Sequence, residues 1–221
     1  MQMMEKYGSS IFRGGGISPG RAHGRIAAAI CLCLILLTSC GVAKVPEVVD
    51  TPSVAVSKEG EVTVWQVGLF DRTDYVVSEL RTMAVEEAGR FNSARNQEAA
   101  VAVEKVEALE DGSGKVVVAY RFDGWESCTE YLEEELFYGT VAEGLQRGMD
   151  SSVSMKSVKD GAPLSGEQLA QEADSYVIIT DMKANVYCPG KVSYISDGLA
   201  VNQDGSIDTS GADGKVYILF K

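Results

Sequence analysis

Glu126, Glu130, Glu133, Glu134 and Glu135 crowd the stretch 126–135, and paired carboxylates are the groups here best suited to chemistry. Two carboxyls about 5 to 9 Å apart, held at different pKa values, can hydrolyse a glycosidic bond. A run of glutamates is also the ordinary solvated face of an amphipathic helix, and that simpler reading is preferred. Other chemistry is narrowed by a single fact: His23 is the only histidine. Downstream of it, Ser-His-Asp and Cys-His nucleophiles are excluded. So are histidine zinc sites and the H-E-x-x-H pattern. An enzyme built from this chain would have to use carboxylates, Tyr, Lys or Cys. No catalytic residue, metal ligand or cofactor site is assigned.

Three further groups invite a functional reading. Cys128 and Cys188 form an even pair, which outside the membrane suggests a disulfide. Two separate reduced thiols are the alternative, and Cys128, near an expected helix start, is a weaker candidate for a reactive thiol. The segment NQDGSIDTSGAD places Asn202, Asp204, Ser206 and Asp208 at alternate positions, as calcium-loop ligands are placed. That loop requires glycine at position six and glutamate at twelve, where this chain has Ile207 and Asp213. Asp-Gly turns explain the segment better. Trp125, beside Gly124 in an expected connection, is the one aromatic picked as a ligand contact. Trp65 and most tyrosines lie in strand-like runs, where aromatics fill sheets.

The N-terminus carries an address. Lys6, Arg13, Arg21 and Arg25 precede an uncharged apolar run, Ile26 to Leu37. Twelve helical residues rise about 18 Å, too little for a hydrocarbon core of about 30 Å. A basic start, a short apolar run and small residues describe a secretory signal. Its end, Leu37-Thr38-Ser39-Cys40, resembles the lipobox of bacterial lipoproteins. The resemblance implies that residues 1–39 are a signal peptide. It implies that Cys40 receives diacylglycerol and becomes the first mature residue, so that membrane lipid is a partner through acylated Cys40. The location implied is the outer face of the bacterial cytoplasmic membrane. An ordinary signal with a chance cysteine, or an uncleaved helix, is the alternative. Removing the leader, with its four bases and one acid, takes the net charge from −12 to −15. Such a charge repels phosphates, so nucleic acid is excluded as a partner.

Residues 40–58 read as the lipidated N-terminus and an extended tether, since GVAKVPEVVDTPSVAVSK has two prolines and no helical period. Residues 59–221 then form a single α+β domain, a mostly antiparallel sheet with two or three helices packed on one face. VTVWQVGLF (62–70) reads as a strand. Asp71 to Thr73 could cap a helix whose apolar face is Val76, Leu80, Met83, Ala84, Ala88 and Phe91. Residues 101–122 read as a hairpin turning at Asp111-Gly112. Ser127-x-x-Glu130 suggests a capping box for a helix from Cys128 to Tyr138, continued to Arg147. A short strand at 152–158 and a short helix at 165–173 follow. SYVIITDM (175–182) is the most apolar strand. Residues 184–196 read as a second hairpin, with Pro189-Gly190 in a type II turn. VNQDGSID and GKVYILF supply the last strands.

The stretch 58–92, KEGEVTVWQVGLFDRTDYVVSELRTMAVEEAGRFN, and the closing KVYILFK resemble uncharacterised surface lipoproteins of Gram-positive anaerobes. That family implies no activity. The expected function is a lipid-anchored, non-enzymatic binding or interaction module of the cell envelope. Its partner would be an envelope protein, peptide or glycan. The alternative is a histidine-free carboxylate hydrolase acting on envelope glycans or peptides.

Overall fold

The computed structural model describes residues 44–70 and 75–221. Cys40 and the Asp71–Thr73 cap lie outside them. In chain order the elements are β1 (Ser53–Val56), β2 (Val62–Leu69), α1 (Val77–Ala94), β3 (Val101–Ala108), β4 (Lys115–Phe122), α2 (Trp125–Leu132), β5 (Leu136–Thr140) and α3 (Val141–Gln146). They continue as β6 (Met155–Ser157), β7 (Pro163–Leu164), α4 (Gly166–Gln171), β8 (Tyr176–Thr180), β9 (Asn185–Tyr187), β10 (Val192–Ser196), β11 (Ala200–Val201), β12 (Ile207–Asp208) and β13 (Val216–Phe220). The fold is α+β with a sheet majority. A seven-stranded sheet has the order β11-β12-β9-β1-β2-β4-β3, and a six-stranded sheet the order β5-β8-β13-β10-β6-β7. Every described pairing is antiparallel except β1 with β9.

Two buried clusters follow from the period of two along each strand. In the larger one, Val54, Val64, Tyr120 and Phe122 of the first sheet meet Leu136, Ile178, Ile218 and Phe220 of the second. Ala84 and Ala88 of α1 join it. The alternate residues of the second sheet, Phe137, Val177, Ile179, Tyr217 and Leu219, face the smaller cluster with Val141 of α3 and Leu169 of α4. The helices are thus divided between two clusters. The β8 run is apolar throughout because both its faces are covered.

Four expectations are corrected. The stretch 53–56, read as tether, is β1, held between β2 and β9. Val54 and Val56 are buried, and so is Val49 upstream. A valine-rich segment reads as flexible when its sheet partners are unknown, and one of them here, β9, is distant in sequence, with Asn185 opposite Ser53. The helix expected to run to Tyr138 ends at Leu132, because Glu133 takes the left-handed conformation (φ 57°). Residues 136–140 are a strand in register with β8, from Leu136 opposite Thr180 to Thr140 opposite Tyr176. A short apolar run cannot be divided between helix and strand by periodicity alone. The expected capping box at Ser127 is also absent, since α2 starts three residues earlier, after Gly124, and Ser127 is buried within it. Capping boxes occur instead at Thr140 with Glu143 and at Ser165 with Gln168.

The hairpin expected at 184–196 is divided: β9 belongs to the first sheet and β10 to the second. The connection passes through buried Cys188, and Gly190 is needed for a close approach. A β-carbon there would lie 2.4 Å from the Lys221 carbonyl oxygen. Lys191 and Lys221 exchange backbone hydrogen bonds of 2.8 and 3.1 Å at this contact.

Candidate functional site

A cleft of about 600 Å³ opens on the smaller-cluster face of the six-stranded sheet, within the size range of ligand sites. Its floor is a row across three neighbouring strands. Phe137 of β5 lies opposite Ile179 of β8, which lies opposite Tyr217 of β13. Strand alternation turns all three side chains to one side, and β5 has to be a strand for Phe137 to be among them.

One end of the cleft is basic and aromatic. Trp125 opens α2 and meets the Phe137 ring edge-on, with centroids 5.3 Å apart. The Arg147 guanidinium lies over both rings, 4.9 Å from the Trp125 centroid and 5.7 Å from that of Phe137. Cation–π attraction and stacking hold such a planar cation in place. Arg147 is exposed and forms no salt bridge among the described residues. It sits at the end of α3, whose start is secured by the Thr140–Glu143 capping box. The backbone N–H of Thr140 donates to the Glu143 carboxylate, which holds that carboxyl below its usual range.

The other end is acidic. Glu133, Glu134 and Glu135 form the connection from α2 to β5, and Asp181 follows β8 beside it. The connection is pinned on both sides. The Thr129 hydroxyl accepts from the Leu136 N–H and donates to the Leu136 carbonyl, both at 2.9 Å. The Asp181 carboxylate accepts from the Glu135 N–H at 2.7 Å, and the Thr180 hydroxyl donates to the Glu135 carbonyl at 2.8 Å. Glu135 is paired with Lys215 at 2.6 Å. Glu134 has no such cation. Although Glu134 is exposed, local desolvation against the cleft wall, and then the neighbouring Asp181 charge, push its carboxyl above the ordinary value. Two carboxylates facing one cleft favour a cation or a shared proton between them.

The other sequence candidates fare differently. Cys40 lies outside the described residues. Cys128 and Cys188 are free thiols, each buried in the larger cluster, so the candidate disulfide is not formed. Burial pushes the Cys128 thiol up to about 12 and raises Cys188 as well, the opposite of an activated thiol. The helix start beside Cys128 does not offset its desolvation. Glu130 is turned away to Arg95. In the 202–213 segment the carboxylates are occupied by turns. Asp204 accepts from the Ser206 N–H and hydroxyl and from the Tyr187 hydroxyl. Asp208 accepts from the Ser210 N–H. Among the described residues no group of three or more His, Cys, Asp or Glu could hold a metal ion. No described helix is long and apolar enough to cross a membrane.

Trp125 and the 133–135 acids are therefore brought together, as lining of one cleft. Sequence reasoning missed Arg147, Asp181, Lys215 and the floor. The signal for Asp181 was present, at the polar end of the most apolar strand. No comparable signal exists for Arg147, because its partners, the Trp125 and Phe137 rings, depend on how α2, β5 and the end of α3 come together. Comparison with known protein families, with curated proteins and with solved structures finds no match for this chain.

Proposed function

We propose that this chain is a lipid-anchored extracytoplasmic surface protein whose folded part is a non-enzymatic binding module of the cell envelope. The cleft beside Trp125 is its ligand site. The observation that carries the reading is the cleft itself: an aromatic and aliphatic floor between a cation set over two rings and an acidic end with more carboxylates than cations. That combination of apolar lining and a few placed polar groups is what ligand sites share. The anchor rests on the lipobox resemblance around Cys40.

The test is occupancy. Soluble peptide and glycan fractions of a bacterial envelope are titrated against the isotope-labelled protein while the amides of Phe137, Ile179 and Tyr217 are followed by NMR. Saturable shifts at this row support the reading. An unmoved row at saturating extract contradicts it. A second reading, a carboxylate hydrolase, is favoured by one observation, the raised Glu134 carboxyl beside Asp181. It requires that a bound fraction be cleaved over hours, and that Glu134→Gln stop cleavage while binding persists.

A further inference from the structure

The opposite charges of the cleft are not mixed. They are separated along α2, whose first residue Trp125 carries Arg147 on its ring and whose last residue Leu132 leads into Glu133 and Glu134. Eight helical residues rise about 12 Å. The path along the chain sets a compatible bound: Glu135 and Leu136 alone separate Glu134 from Phe137, so the chain between them spans at most about 10 Å, and Arg147 lies over the Phe137 ring. The cleft is thus a dipole about 10 Å long with an apolar floor between its poles.

At the acidic pole Glu134 and Asp181 repel each other, and a positive ligand group placed against them relieves that repulsion. Lys215 is bonded to Glu135 and its charge also reaches Asp181, which leaves Glu134 as the acid with no cation of its own. At the basic pole Arg147 lies over two rings and has donors to spare, and a guanidinium so placed can receive a carboxylate bidentately. An anionic ligand would meet the acids, and a purely cationic one would leave Arg147 unused.

We propose that the cleft binds a short zwitterionic peptide with free ends, about three residues long. Its terminal ammonium meets Glu134 and Asp181, its terminal carboxylate meets Arg147, and a central apolar side chain rests on Phe137, Ile179 and Tyr217. An extended tripeptide spans about 10 Å, the separation of the poles. This rests on the reading of the cleft as the ligand site and adds the ligand class.

The experiment is calorimetric titration of the full-length protein in non-ionic detergent. The probes are Gly-Phe-Gly and Gly-Leu-Gly with free ends, with the N-terminus acetylated, and with the C-terminus amidated. Free peptides should bind, and each cap should weaken binding by about tenfold or more, the loss of one charge-assisted contact. Glu134→Gln should abolish the effect of acetylation and leave that of amidation. Arg147→Gln should do the reverse, and melting curves would show that each variant is folded. Equal affinity for free and capped peptides overturns the proposal. So does failure of every free peptide to bind when envelope extract still shifts the Phe137–Ile179–Tyr217 row, an outcome that leaves the cleft as a site for another ligand. If neither the peptides nor the extract perturbs the row, the binding-module reading fails with it.

Discussion

At the scale of single residues, Glu134 and Gly190 show how environment overrides type. Glu134 is one glutamate in a run of three, but it combines local desolvation, the Asp181 charge and no lysine partner, whereas Glu135 is paired with Lys215. A carboxyl raised in the folded state keeps its proton longer there than in the unfolded chain. Its contribution to stability is therefore best at low pH. It declines as pH rises above the ordinary 4.5 and is fully adverse above the folded value. Glu134→Gln should remove this decline, so the variant's melting temperature should gain on the parent as pH goes from about 4 to about 7. A constant gap across that range would contradict it. Gly190 illustrates a different constraint. Its φ is not positive, so glycine is not there for the turn. It is there because the Lys221 backbone and the Phe220 ring leave no room for a β-carbon, which would meet them at 2.4 and 2.8 Å. Gly190→Ala should cost about 1–3 kcal/mol, the usual range for overpacking, read from denaturant unfolding.

At the scale of elements, β1 matters most. It bridges β9 and β2, so the seven-stranded sheet is continuous only through it. A chain beginning at Glu59, the boundary that composition suggested, would lack Val54 and Val56 and expose the edges of both neighbours. A chain beginning at Lys44 should unfold cooperatively in denaturant, whereas one beginning at Glu59 should lose the cooperative transition or aggregate. Equal midpoints for the two would show that β1 is dispensable. The elements that set the cleft are smaller. α2 stops after eight residues, β5 turns Phe137 to the floor, and the α3 cap fixes where Arg147 emerges. Helix α1 and the β3–β4 hairpin were legible as elements, and Leu80, Ala84, Ala88 and Phe91 do pack against the core, but Val76 and Met83, expected on the same apolar face, are exposed. The 125–147 segment was not legible, since three short elements there share one stretch of apolar and acidic residues.

At the scale of the whole molecule, the two sheets share the larger core, and both thiols of the described residues, Cys128 and Cys188, are inside it. In a chain beginning at Lys44, a thiol reagent should find nothing to react with under native conditions and two thiols in denaturant without reductant. Finding none in denaturant would restore the disulfide. The anchor is tested on the full chain. Cys40→Ala should leave the precursor unprocessed or release the protein from the membrane, measured by fractionation and mass. Anchored mature protein that is unchanged would overturn the lipobox reading. Charge acts at this scale too. A net charge of −15 on the processed chain would set a repulsive background for anions, against which the stacked Arg147 is a local exception.

Sequence alone determined what depends on local order and composition. It located the apolar run ending at Cys40, excluded histidine chemistry downstream of His23, and showed an α+β chain rich in strands. Each of these needs only neighbouring residues or counts. Tertiary structure decided which distant segments meet: β1 against β9, β9 and β10 in different sheets, and Arg147 over Trp125 facing Asp181 across a floor drawn from three strands. Those contacts join residues tens of positions apart. Their energies come from burial and charge pairing that exist only once the sheets have formed, so no window along the chain carries them.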